Sequence, residues 1–242
     1  MTSLVALDSN THRSLRVISN KVEEVGADLN MVPVVVSEFT KLVVQFPILF
    51  TKNSETGQFS CVSLLGLDEG ENLFWQDARF NALYLPLHIS RQPFFVGEDE
   101  TGARDYLLCI NQESDCLSEQ SGERIFNDDG TPGNVLKQAQ ADLSQLLAGE
   151  RQTLELIKHL VELNLLVPLT LEITLASGQT KKINGLYSVD EEKMKSLSAE
   201  QLFLLNTNGN LQAIYTHLAS LSHIYSLIDL KNKKDADNPW FQ

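Results

Sequence analysis

Three cysteines in 242 residues, Cys61, Cys109 and Cys116, are too few and too irregularly spaced for a disulfide framework or a zinc site. A reducing compartment fits this usage. Cys61 and Cys109 fall in strand-like runs, where cysteine behaves as a small buried apolar residue. Positive charge is also short: 19 lysines and arginines stand against 32 aspartates and glutamates, a net charge of -13. Such a surface repels a phosphate backbone. The dense basic run, Lys231, Lys233 and Lys234, comes without the aromatic pairs or finger spacing of nucleic-acid readers and reads as a solvated helix end that complements the helix dipole. Nucleic acid is therefore excluded as a partner. Long apolar runs are missing as well. The most hydrophobic windows, Val32 to Val36 and Leu42 to Phe50, contain prolines and polar interruptions and fall far short of the roughly 18 residues that span a bilayer. No integral membrane insertion is expected. The opening residues, Met1 to Asp8, lack the basic start and apolar core of a secretory leader, so a cytoplasmic location is expected.

What is present is an ordinary globular composition, 43% hydrophobic and 21% charged, on a chain long enough to bury a core without staples. Phe39, Leu42, Val43 and Phe46 recur at helical spacing and stop at Pro47. Two strand-like runs follow, Ile48 to Thr51 and Phe59 to Leu65, joined by a polar turn that ends in Gly57. The same order returns twice. Leu83 to Ile89 leads through Pro93 to Phe94–Val96, a turn at Glu100-Thr101-Gly102, and Tyr106–Ile110. A helical pattern from Leu154 to Leu166 leads through Pro168 to Leu169–Leu175, Gly178 and Thr180–Tyr187. The proline and the turn glycine are ten, nine and ten residues apart in the three copies. That regularity fits an internal duplication, and it also fits generic punctuation by helix-stopping proline and hairpin glycine. On either reading the strands pair antiparallel.

The polar stretch Gln112 to Gly122, followed by Ile125 to Gly133, is the best boundary. A long helix starts near Asn134 with Val135, Leu136, Ala139, Leu143, Leu146 and Leu147 on one face, and Gly149 leaves a break open. Asp190-Glu191-Glu192-Lys193 and Ser198-Ala199-Glu200-Gln201 carry helix-start signals. A last helix is expected from Leu211 to Leu230, with Leu211, Ile214, Leu218, Leu221, Tyr225 and Ile228 inward. The expected fold is α+β: antiparallel hairpins alternating with helices and a mainly helical C-terminal part. Residues 1–130 form an α+β part, residues 131–230 carry the long helix, third hairpin and last helices, and residues 231–242 form a polar tail that ends in aromatics.

Four blocks, in order, carry a family resemblance. They are Met31 to Phe39 with Phe46-Pro47-Ile48; Leu65 to Phe74 with Tyr84-Leu85-Pro86 and Arg91-Gln92-Pro93-Phe94; Ile125 to Gly130; and Gly185 to Glu191 with Tyr215 to Ser220. Together the sequence resembles the SapC family over about residues 5 to 227. Phe80 and Ser90 depart from the pattern, which often has tryptophan and a second basic residue there. The resemblance implies a bacterial protein linked by name to surface layers, from a family often encoded near outer-membrane receptors, halogenase-like proteins and cupin-like oxygenases. It does not imply the similarly named permease of a peptide transporter.

Catalytic fingerprints are absent: no Walker motif, no dinucleotide fingerprint and no Gly-x-Ser-x-Gly occurs. Glu71 and Asn72 on the glycine-bearing loop 66–72, with Tyr84 and Arg91, form the candidate ligand site. Glu71 and Asn72 serve either a polar ligand or the turn itself, and Arg91 either clamps a carboxylate or pairs internally with Glu71. Glu155, His159 and Glu162 share a helix face but lack a second ligand set for a metal. His217 and Ser220 read as hydrogen-bonded packing rather than a hydrolase pair. Trp240 and Phe241 on the polar tail are candidate partner contacts, or fold back on the chain. No cofactor and no metal is expected. The leading expectation is a non-catalytic binding or accessory protein with a protein partner. The alternatives are an enzyme or small-molecule sensor around Arg91 and a surface-layer structural component. Self-association is left open.

Overall fold

A computed structural model describes residues 4–97 and 106–236, so the turn at 100–102 and the aromatic pair Trp240 and Phe241 lie outside the described residues. The chain opens with β1 (Leu4–Ala6), β2 (Arg16–Val17), α1 (Ser19–Glu24) and β3 (Met31–Pro33). A 3-10 turn at Val36–Glu38 runs into α2 (Phe39–Leu42), followed by β4 (Ile48–Lys52), β5 (Phe59–Leu64), β6 (Trp75–Gln76) and β7 (Arg79–Phe80). Next come α3 (Leu87–Ser90), β8 (Phe94–Gly97), β9 (Leu107–Asn111), β10 (Leu117–Ser118), β11 (Glu123–Arg124) and the long α4 (Asn134–Glu162). The last part holds β12 (Leu166–Thr174), β13 (Thr180–Val189), α5 (Glu191–Lys195), α6 (Ala199–Thr207), α7 (Asn210–Ser220) and α8 (His223–Ala236). The protein is α+β, with antiparallel strand pairing throughout the described residues and a helical C-terminal part.

Contacts divide the chain into two compact units. The first comprises Met1–Ala27, Trp75–Asn81 and Leu85–Leu147. It holds the hairpin β8–β9 with β1 at its side, the small sheet β10-β2-β11 and the ribbon β6–β7. Its core is built on Phe94, Ile89 and Ile110, all buried.

The second unit comprises Asp28–Phe74, Ala82–Tyr84 and Ala148–Gln242. Here the hairpins β4–β5 and β12–β13 lie side by side in one five-stranded sheet, in the order β12-β13-β4-β5-β3. Pro168 falls inside β12, opposite Tyr187, rather than ahead of the strand. It is tolerated because β12 is an edge, and the other edge, β3, ends in Pro33; both prolines remove a donor that could recruit further strands. Phe39, Leu42, Phe46, Ile48, Leu49 and Phe50 fill the core. Each such side chain contributes about 2 kcal/mol or more by leaving water.

Gly149 does not break α4, which runs unbroken through it. A Cβ at this position would stand 2.6 Å from Val35 Cγ2 and 2.7 Å from Ser37 Oγ, so the glycine serves close packing. One turn on, Thr153 Oγ1 donates to Gly149 O and accepts from Val36 N–H at 2.9 Å.

The single last helix expected from the sequence is two. The chain turns at Leu221-Ser222, Tyr225 is exposed, and α7 turns Ala213, Ile214, His217 and Ser220 inward. The reason lies in the sheet. β13 and β4 pair at Leu186 with Thr51 and at Tyr187 with Phe50; where Val189 would next meet Ile48, the ring of His217 stands between them. Its Nδ1–H donates to Ile48 O at 2.8 Å, while Nε2 accepts from Val189 N–H at 3.3 Å and lies 3.1 Å from Ser188 Oγ. Ser220 Oγ takes the Ile48 N–H at 2.9 Å and donates to His217 O. A carbonyl can only accept and a backbone N–H can only donate, so the ring is neutral with its proton on Nδ1. Burial lowers the His217 pKa to about 4 from 6.5, against the raising effect of the Ile48 carbonyl.

Because the folded pKa lies below the unfolded one, stability is lost as pH falls from about 6.5 to about 4, by about 3 kcal/mol in all. His88, whose pKa burial and Arg91 also lower to about 4, shares the window, so a difference measurement is required. We expect His217→Gln to cost about 2–4 kcal/mol in urea denaturation at pH 7. The gap to wild type should narrow steadily toward pH 4.5. A gap that is constant with pH would disprove the neutral bridge.

Candidate functional site

β5 delivers the chain into loop 65–74 of the second unit. Leu65 N–H and Gly66 N–H both donate to Asn30 O, and Leu73 N–H donates back to Leu65 O at 2.9 Å, closing the loop on itself. The closure is tight enough that a Cβ on Gly66 would stand 1.9 Å from Glu71 O, so only glycine fits. Asn72 is buried and its Oδ1 accepts from Phe74 N–H at 2.8 Å, the turn-satisfying geometry of an Asx turn.

The loop presents Asp68 and Glu71 to lysines of β13 and α8. Lys231 Nζ lies 2.9 Å from Glu71 Oε1, 2.9 Å from Asp68 Oδ2 and 3.2 Å from Asp235 Oδ1. Lys234 Nζ reaches the same Glu71 oxygen at 3.2 Å, and Lys181 pairs with Asp68 Oδ1. Three carboxylates thus meet three ammonium groups, and the cluster is neutral. Burial works against the charge on Lys231, but its hydrogen bonds to Glu71 and Asp68 outweigh that and hold it above the ordinary lysine range. Partial burial likewise works against the Asp68 carboxylate, and the hydrogen bonds from Lys181 and Lys231 prevail, so its pKa is lowered. Glu71 is 8% exposed and its Oε2 is buried without a hydrogen-bond partner among the described residues, so Oε1 carries both lysine contacts.

Beside this network lies an open cleft of about 520 Å³. Phe74, whose ring packs 4.6 Å from that of Phe46, forms its floor; Val44 and Gln45 line one side and His223, Tyr225, Ser226, Asp229 and Leu230 of α8 the other. His223 Nε2 donates to Val43 O at 2.7 Å, fixing the start of α8 beside the residues that follow α2.

A family model described as SapC matches residues 7–227. The chain belongs to the SapC family. No curated protein and no solved structure matches it. In this SapC chain the match takes in loop 65–74 and Lys181 but stops before Lys231, Lys234 and Asp235, which complete the charge network.

Of the candidate residues that the sequence points to in the SapC chain, Glu71 and Asn72 sit together in the loop. Tyr84, in the same unit, donates its hydroxyl to Glu38 Oε1 at 3.1 Å, and Lys41 lies 5.2 Å above its ring. Glu38 is fully buried and its other oxygen accepts from Val35 N–H. Arg91 belongs to the first unit, where it donates to Phe94 O at 2.9 Å and lies 4.2 Å over the Phe95 ring. Ser90 donates to the buried Asp142 at 2.8 Å. His159 Nδ1 lies 2.7 Å from Asn210 Nδ2, a tie between α4 and α7, and among the described residues no group of three candidate ligands gathers for a metal. Cys61, Cys109 and Cys116 are buried free thiols, and burial pushes the Cys61 pKa up. No helix among the described residues is long and apolar enough to cross a membrane.

Contrary to the solvated helix end expected from the sequence, Lys231 is buried and both it and Lys234 pair with Glu71; neither Lys181 nor the cleft was singled out. One signal was available: Lys231 follows Leu227 by four residues, on the inward stripe of α8, and precedes Asp235 by four.

Lys231→Met should cost about 3 kcal/mol, because it leaves the buried Glu71 carboxylate with only the half-exposed Lys234 as a counter-charge. In a Glu71→Gln background the same change should cost at least about 1 kcal/mol less. A double-mutant cycle by urea denaturation reads this coupling, and additive losses would show that the pair does not tie the loop to α8.

Proposed function

We propose that this SapC-family chain is a non-catalytic binding protein of the cytoplasm, accessory to bacterial surface uptake or modification systems, that takes a segment of a protein partner into the cleft over Phe74. The observation that carries the reading is the pair of large apolar side chains at the mouth of the cleft: Tyr225 is 78% exposed and Val44 57%. Apolar surface gathered around a concave site is what a partner covers, at about 25 cal/mol for each Å² removed from water.

The nearby ionisable groups support binding over chemistry. Asp68, Glu71 and Asp235 are engaged by lysines. The contact between Ser188 and His217 is sealed in the sheet, with His217 fully buried, whereas a nucleophile has to meet its substrate. Three buried free thiols support a reducing compartment. Trp240 and Phe241, outside the described residues, are a second proposed contact with the partner.

The test is to recover the N-terminally tagged full chain, its Tyr225→Asp variant and a chain ending at Asn238 from native cells. A stoichiometric partner should accompany the full chain and be depleted about tenfold or more with Tyr225→Asp, equivalent to about 1.4 kcal/mol of binding. The melting temperature should not move, since the side chain is exposed. A full chain that carries only a small molecule, or a partner retained undiminished by Tyr225→Asp, would overturn the reading; the truncated chain reports the share of the aromatic tail.

A further inference from the structure

We infer that the segment held by the cleft is cationic, an arginine or lysine next to a bulky apolar residue, with the apolar side chain over Phe74 and the basic group directed to Asp229 and His223. The inference rests on the cleft being the binding site, and it follows from the hydrogen-bonding inventory of the lining.

Val43 O can only accept, so His223 Nε2, at 2.7 Å, commits its proton there, and in the neutral ring Nδ1 is left as an acceptor. Gln45 Oε1 accepts from Leu83 N–H at 2.8 Å, which leaves the amide NH₂ of Gln45 to donate. Asp229 Oδ2 pairs with Lys233 Nζ at 2.6 Å between two well-exposed side chains, and an exposed pair of this kind yields readily to a competing cation. The lining holds no lysine or arginine. A carboxylate or phosphate entering the cleft would face Asp229, whose counter-charge Lys233 lies outside the lining, on a chain of net charge -13. Charge complementarity therefore selects a cation. Val44, Phe74 and Tyr225 select an apolar neighbour for it, and the exposed Tyr225 ring offers a face to an ammonium or guanidinium group. Arginine suits the site better than lysine, because its planar fork can address two separate acceptors at once.

The probes are two capped tetrapeptides, Ala-Leu-Arg-Ala and Ala-Leu-Glu-Ala, titrated into the isotope-labelled full chain and followed by the backbone amide signals of Val44, Tyr225 and Asp229. The arginine peptide should shift these signals in the millimolar range. It should bind about fivefold more weakly to Asp229→Asn, an exposed substitution, and in about 0.5 M salt. The glutamate peptide should leave the signals in place. Equal shifts from both peptides would overturn the charge selection while leaving the cleft as a binding site. No shift from either would also overturn this inference, and the partner comparison with Tyr225→Asp would then decide separately whether the cleft itself is the site.

Discussion

The five-stranded sheet of the second unit depends on a side chain that takes the place of a backbone. β4 and β13 start as ordinary antiparallel neighbours, and two residue pairs further on the imidazole of His217 replaces the ladder, accepting a hydrogen bond on one nitrogen and donating one from the other. This works only for the neutral ring, since an imidazolium has two donors and would face Val189 N–H with no acceptor. The consequence is topological. α7 cannot slide or rotate without opening the sheet, and with α7 fixed, the start of α8 is fixed one turn later. The T-shaped contact of the ring with Phe50, 5.0 Å between centroids, adds an apolar restraint on the same group.

The charge network restrains loop 65–74 in a different way. Replacing a buried ion pair with well-packed apolar residues is often neutral or stabilising, so the network is a poor source of net stability; that comes from Phe39, Phe46, Phe50 and their neighbours. What six alternating charges do supply is position. Glu71 has lysines on one oxygen only, Gly66 presses on its backbone, and the loop closes through Leu73 and Leu65. Any shift of the loop would part the buried Glu71 carboxylate from the buried Lys231, and a mismatch between buried charges is strongly destabilising.

Local signals in the sequence were read well because they act within a few residues. Asp190 caps α5 by accepting from Lys193 N–H, and Ser198 and Gln201 form the reciprocal box at the start of α6. Pro47 and Pro93 stand just ahead of β4 and β8, and Gly57 and Gly178 fall in the turns of their hairpins, whereas Pro168 lies inside β12. What was not legible depends on partners far away in the chain. Lys231 is separated from Glu71 by 160 positions, and its ordinary place in a basic run gave it the look of a solvated helix end. Gly149 resembles a breaker until Val35 is seen against it. Tyr225 fits a helical stripe counted from Leu211, but the turn at Leu221-Ser222 resets the phase and sends it to solvent. The family segment around Glu71 and Asn72 was found from its residues, whereas the cleft next to it was not, because Val44, Phe74 and Tyr225 become neighbours only once α7 has docked.

α8 joins the two features by helical geometry. Leu227 and Lys231, four apart, face inward to the core and the network; Tyr225 and Asp229, also four apart, face the cleft. The two pairs are offset by two residues, a rotation of about 200°, so they occupy nearly opposite faces of one helix. A movement of α8 that widened the cleft would have to pull Lys231 from Glu71 and Asp68. The inward face therefore sets how rigidly the outward face can be offered, and a rigid apolar wall loses less entropy on binding than a mobile one. The neutral cluster also contributes no net charge to the cleft, so the charges a ligand meets there are Asp229 and its exposed partner Lys233. Lys231 and Lys234 lie on the helix that lines the cleft, yet their charges are already matched on its other side, which leaves the exposed Lys233 as the α8 lysine beside Asp229.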